Sequence, residues 1–175
     1  MSTLGPARKK IRLAGEKYRG RGWYFITICC RERRTPFADP AKAQWIIARL
    51  RDSALEGQFR IPAYCVMPDH LHFLAEGMNE NCDLIDFVRR FKQKTAYEAS
   101  ARFGLPLLWQ RYFYDHILRR AEAIGPVIWY IWLNPVRKGM CLQPADYPYL
   151  GSFTGEAPKR QPEFLWQPPW KTTTP

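Results

Sequence analysis

Residues 59–75, FRIPAYCVMPDHLHFLA, decide how this chain folds. Residues 59–66 are rich in apolar and β-branched side chains, Met67-Pro68-Asp69 forms a tight break, and residues 70–75 (HLHFLA) resume an extended pattern. Two strands joined so closely pair as an antiparallel hairpin. On the second strand His70 and His72 face one side and Leu71 the other, because successive side chains alternate across a sheet.

Working outward, residues 23–31 (WYFITICCR) follow the turn-forming Gly20-Arg21-Gly22 and read as a first strand. Residues 41–56 carry Trp45, Ile46, Leu50 and Ala54 at helical spacing, with Gly57 where a C-terminal cap belongs. Beyond the hairpin, residues 83–103 place Leu84, Phe87, Val88, Phe91 and Thr95 on one helical stripe, and Gly104 ends it. Residues 107–118 (LLWQRYFYDHIL) read as a fourth strand, and residues 122–134 as a third helix interrupted early by Gly125-Pro126. The order is β-α-β-β-α-β plus a C-terminal helix, which predicts an α+β, ferredoxin-like (RRM-like) fold with an antiparallel sheet backed by two helices. Three segments are expected: a basic arm (1–17), one domain (18–154) and a proline-rich tail (155–175) that carries Trp166 and Trp170.

With 27 basic and 16 acidic residues the formal charge is +11, which points to a polyanionic partner, nucleic acid first. The excess is concentrated in residues 1–34, where ten basic residues, among them Lys9, Lys10, Arg12, Lys17, Arg19 and Arg21, face only Glu16 and Glu32. Arg89, Arg90, Lys92 and Lys94 on the second helix, and Arg119 and Arg120 after the fourth strand, are further candidates for phosphate contact. The five cysteines are an odd set with no CxxC pair, so neither a disulfide framework nor a zinc ribbon is expected, and a reducing cytoplasm fits. No apolar run is long enough to span a membrane, and the basic N-terminus lacks a signal core.

The His70/His72 pair could hold a metal ion or be two exposed histidines on a strand; spacing leaves both open. Tyr130 and Asn134 stand four residues apart, one helical turn, so a phenol and an amide oxygen would share a flank of the last helix. The stripe Ile124, Val127, Ile128 and Ile131 would pack on the sheet. Taken by itself, Tyr130 reads as a core aromatic. His116 reads first as a hydrogen-bonded structural histidine, and second as a group that orients a phosphate or the nucleophile.

Residues 67–73 (MPDHLHF), 109–119 (WQRYFYDHILR) and 129–136 (WYIWLNPV) resemble, in order, the signature segments of REP-associated tyrosine transposases. These are HUH single-tyrosine enzymes related to the small single-strand insertion-sequence transposases, and the similarity runs over residues 18–153. The resemblance implies that His70 and His72 are the metal-binding HUH pair, Asn134 the third protein ligand and Tyr130 the nucleophile. It departs from the pattern at Asp69, where relatives often carry Asn or another polar residue. The implied substrate is single-stranded hairpin DNA of the repetitive extragenic palindrome type. The implied reaction is cleavage and rejoining through a 5′-phosphotyrosine. A phenol is a poor nucleophile at neutral pH, so Mg²⁺ or Mn²⁺ is expected as cofactor, with no small-molecule cofactor. A monomer is expected, with a dimer as the alternative.

Two other readings share some of these features. An HUH replication initiator or relaxase uses paired histidines and tyrosine but commonly orders them differently along the chain. A non-enzymatic ferredoxin-like RNA-binding module would account for the charge and the aromatic strands, but not for His70, His72, Tyr130 and Asn134 together.

Overall fold

The computed structural model describes residues 15–119, 124–155 and 166–168. Among them the strands β1 (Trp23–Cys29), β2 (Phe59–Met67), β3 (His70–Gly77), β4 (Tyr114–Ile117) and β5 (Leu150–Gly151) form one antiparallel sheet in the order β4-β1-β3-β2-β5. Helices α1 (Pro40–Gly57) and α2 (Leu84–Phe103) lie on one face of the sheet, and α3 (Ile124–Trp132) packs on the other against β2 and β3.

The central strands are therefore buried on both faces, which is why β1 and β2 read as near-continuous apolar runs. Tyr24, Ile26 and Ile28 of β1, with Leu71, Phe73 and Ala75 of β3, join the core under α1 and α2. Their alternates Phe25, Ala63, Cys65, Met67 and Leu74 form a second core with Val127, Ile128, Tyr130 and Ile131 of α3. The hairpin closes through the two-residue turn Pro68-Asp69, with Met67 opposite His70. Two backbone bonds fasten that turn: Cys30 N–H donates to the Asp69 carbonyl at 2.9 Å, and Phe37 N–H to the Pro68 carbonyl at 3.1 Å.

Asp39 caps α1 by accepting from the Ala41 and Lys42 N–H groups, and Asp83 caps α2 by accepting from Asp86 N–H. The α2 stripe is buried as its spacing predicts, and Gly104 ends the helix at φ 62°. At α1 the left-handed cap is Gln58 (φ 57°), not Gly57. Gly57 answers a packing demand instead, since a Cβ there would meet Phe87 at 3.0 Å and Phe59 at 3.3 Å.

Two further elements differ from expectation. The fourth strand is only Tyr114–Ile117, and before it Trp109 and Phe113 turn into the helix-side core. The Trp109 indole donates to Thr95 Oγ1 at 2.8 Å inside the helix-side core, and Lys92 Nζ binds the carbonyls of Gln110 and Arg111 at 2.8 and 3.0 Å. The third helix stops at Trp132, and Asn134 opens a separate short helix, α4 (Asn134–Arg137). Pro135 has no N–H to continue the ladder, and the Asn134 side chain takes over, its Nδ2 donating to the carbonyls of Tyr130 at 3.0 Å and Ile131 at 3.1 Å. Gly125 and Pro126 do not interrupt α3 within its described span; Glu122 and Ala123 fall outside the described residues. Strand β5, which pairs with Tyr64 and Cys65 at the sheet edge, was not expected. All five cysteines are free, and no described helix is long and apolar enough to cross a membrane.

Candidate active site

His70 and His72 emerge side by side from β3 on the α3 face, each only 7% exposed. Their rings stand nearly perpendicular (83°), with the two Nε2 atoms 3.0 Å apart. Each Nδ1 turns away to its own partner: Asp69 Oδ1 lies 2.5 Å from that of His70, and Thr27 Oγ1 2.7 Å from that of His72. Thr27 stands opposite His72 on β1, so strand register alone makes this pair. Burial pushes the His70 imidazole below its ordinary range, partly opposed by the hydrogen bond to Asp69. That direction favours the uncharged ring, the form in which an imidazole serves as a nitrogen ligand.

The pair lines an open cleft of about 300 Å³ shared with Tyr130 and Asn134, so the four residues singled out in the sequence do converge. The break at Leu133 fixes how they do so. With Nδ2 of Asn134 committed to two helix carbonyls, Oδ1 is the end left to accept or to ligate. The Tyr130 ring is packed edge-on to Phe25 (5.7 Å between centroids) and Trp166 (5.2 Å), and the Arg137 guanidinium lies 4.2 Å from its centroid. Arg137 also donates to the Tyr130 carbonyl at 2.8 Å. Trp166 belongs to the tail, and it reaches Phe25 and His116 as well.

His116 lies on β4 opposite Phe25 and is not among the residues lining the cleft around the histidine pair. Of the other phenols considered, Tyr97 is exposed on α2 across the sheet, Tyr112 is exposed ahead of β4, and Tyr114 lines the cleft itself, 44% exposed.

The basic candidates distribute differently. Arg89, Arg90, Lys92 and Lys94 lie on α2, across the sheet from the histidines, and are bound within the chain: Arg89 and Arg90 to Asp86, Lys94 to Glu56, Lys92 to loop carbonyls. Arg19 pairs with Asp83 at 3.3 Å and Arg21 with Glu80 at 3.4 Å, in exposed bridges that cost little to exchange. Lys17, Arg21 and Arg119 border a separate groove beside Trp23. Lys9, Lys10, Arg12 and Arg120 lie outside the described residues. The cations that do reach the cleft are Arg33 and Lys138, which sequence reasoning did not single out. Thr27 was also missed, although alternation along residues 23–29 puts it on the same face as Phe25 and Cys29.

Residues 20–124 match the family described as Transposase IS200 like. The chain belongs to that family. The matched span contains the histidine pair and ends before Tyr130. An uncharacterized protein of Haemophilus influenzae is 28% identical to this IS200-like transposase, the match covering 74% of this chain and 88% of that protein. A REP-associated tyrosine transposase of Escherichia coli is 26% identical, over 73% of this chain and 74% of its own length. A solved REP-associated tyrosine transposase bound to a REP hairpin shares the fold. It superposes with a TM-score of 0.66 over 84% of this chain and 82% of that one, at 24% identity.

Proposed function

We propose that this transposase is of the REP-associated tyrosine type: a metal-dependent enzyme that binds single-stranded hairpin DNA, then cleaves and rejoins it through Tyr130. The ferredoxin-like reading of its sheet, with the tyrosine on a following helix, belongs to the same proposal. The observation that carries it is one cleft lined by His70, His72, Tyr130 and Asn134, the residues that the family resemblance assigns to metal binding and attack.

The donor set suits a hard divalent ion. His70 and His72 would together hold it, since their Nε2 atoms lie 3.0 Å apart and both rings line the cleft. The third protein donor in this reading is the Asn134 amide oxygen, which lines the same cleft. Mg²⁺ or Mn²⁺ held there supplies Lewis-acid polarisation of the phosphate.

The residues of the chain then have defined tasks. Tyr130 Oη attacks the scissile phosphorus; the new O–P bond forms as the P–O3′ bond breaks, and the departing 3′-oxygen ends with the proton. The 5′-phosphate stays on the tyrosine until a 3′-hydroxyl reverses the step. Arg33 and Lys138 at the cleft meet the phosphate charge. A monomer belongs to the same proposal, with a dimer as its alternative. The deciding experiment is a cleavage assay on single-stranded repeats taken from beside the gene, with and without Mg²⁺. Tight RNA binding without metal-dependent nicking would favour the RNA-binding module instead.

Affinity for the hairpin is expected to fall steeply with salt. Each neutralised phosphate adds about 0.9 on duplex, or about 0.7 on single strands, to the slope of log affinity against log salt. An affinity unchanged between about 50 and about 200 mM salt would remove backbone contacts from the reading.

A further inference from the structure

We propose that Asp69, held by Arg33, is a positioning residue that fixes His70 in the tautomer protonated at Nδ1, turning its Nε2 lone pair into the cleft. The inference rests on the metal reading above and concerns a residue at which the sequence departs from the family pattern.

Asp69 Oδ1 lies 2.5 Å from His70 Nδ1. A carboxylate only accepts, so the proton of the neutral ring must sit on Nδ1. The carboxylate is itself clamped, since Arg33 Nε lies 2.9 Å from its other oxygen. Arg33 reaches it from a left-handed backbone conformation (φ 56°), rare for a side-chain-bearing residue, while its Nη1 donates to Cys29 Sγ at 3.1 Å. The turn that carries Asp69 is fastened by the bonds from Cys30 and Phe37 to its two carbonyls.

His72 is held by a different kind of partner. Thr27 Oγ1, 2.7 Å from its Nδ1, can donate or accept. With the His70 lone pair fixed 3.0 Å from His72 Nε2, the metal-free pair is satisfied when His72 carries its proton on Nε2 and accepts from the Thr27 hydroxyl. For both rings to present lone pairs, His72 moves its proton to Nδ1 and Thr27 becomes the acceptor. One histidine is locked by an acceptor-only partner, and the other can switch because its partner is a hydroxyl.

Two readouts test this on the full chain: ¹⁵N NMR of the histidine nitrogens in the metal-free protein at mildly alkaline pH, and Mn²⁺ titration without DNA. The unaltered protein should show a protonated Nδ1 at His70. Asp69→Ala should mix the tautomers at His70 and weaken Mn²⁺ binding about 10- to 100-fold, as losing the outer partner of a metal-binding histidine does. Asp69→Asn retains an accepting oxygen and should recover most of the affinity, which also guards against misfolding of the alanine variant. Thr27→Val should leave the His70 tautomer unchanged. If Asp69→Ala keeps both the Nδ1–H signal and the Mn²⁺ affinity, the inference is overturned alone. If the unaltered protein binds no Mn²⁺, the metal reading falls and the inference with it.

Discussion

Tyr130→Phe is expected to abolish strand cleavage, a loss on the order of 10⁶-fold of the kind that follows removal of a covalent nucleophile. The fold should survive the change. The Tyr130 ring is held by Phe25, Trp166 and Arg137, and phenylalanine keeps each of those ring contacts. Loss of one hydroxyl costs at most about 1 kcal/mol of stability, so melting temperature and hairpin affinity should change little. The phenol to compare is Tyr114, which lines the same cleft and is far more exposed. Tyr114→Phe should leave cleavage intact. Mass spectrometry of a trapped covalent complex decides between them; a DNA 5′-phosphate on any tyrosine other than Tyr130 would overturn the assignment while preserving the reaction class.

His70→Ala should lower cleavage about a thousandfold or more, because transition-state charge stabilisation worth several kcal/mol goes with the metal site. Hairpin binding should persist, since the cations proposed to meet the phosphate, Arg33 and Lys138, are separate side chains. EDTA should reproduce the loss in the unaltered protein, and added Mn²⁺ should restore it there but not in the variant. Nicking by EDTA-treated protein at the rate of metal-loaded protein would falsify the metal assignment.

Much of this was legible in the sequence because short-range rules governed it. The hairpin at Pro68-Asp69, the stripe from Leu84 to Thr95, and the shared face of His70 and His72 all follow from periodicities of 2 and 3.6. What escaped was set by distant partners. Trp109 leaves the strand pattern because Thr95 and Lys92 bind its surroundings, and neither is near it in sequence. Asn134 was expected one turn along the helix of Tyr130, whereas its side chain replaces a backbone donor at a helix break. Arg33 read as one more charge in a basic stretch; only the fold brings it to Asp69. Strand β5 spans two residues, too few for alternation to register.

The two-sided burial of β3 carries a consequence for how this protein tolerates change. Odd and even positions of the strand answer to different demands: Leu71 and Phe73 to the helix-side core, His70 and His72 to the cleft. A deep substitution scan across residues 70–73 should therefore alternate with a period of two. Polar replacements at Leu71 or Phe73 would deplete folded protein, whereas apolar replacements at the histidines would yield folded, inactive protein, some of it more heat-resistant than the original because two buried polar rings are gone. Insertion or deletion of a single residue has no such mild class. It would exchange the two sets at a stroke, driving imidazoles into the core and leucine into the cleft, so the strand can accumulate substitutions but not length changes.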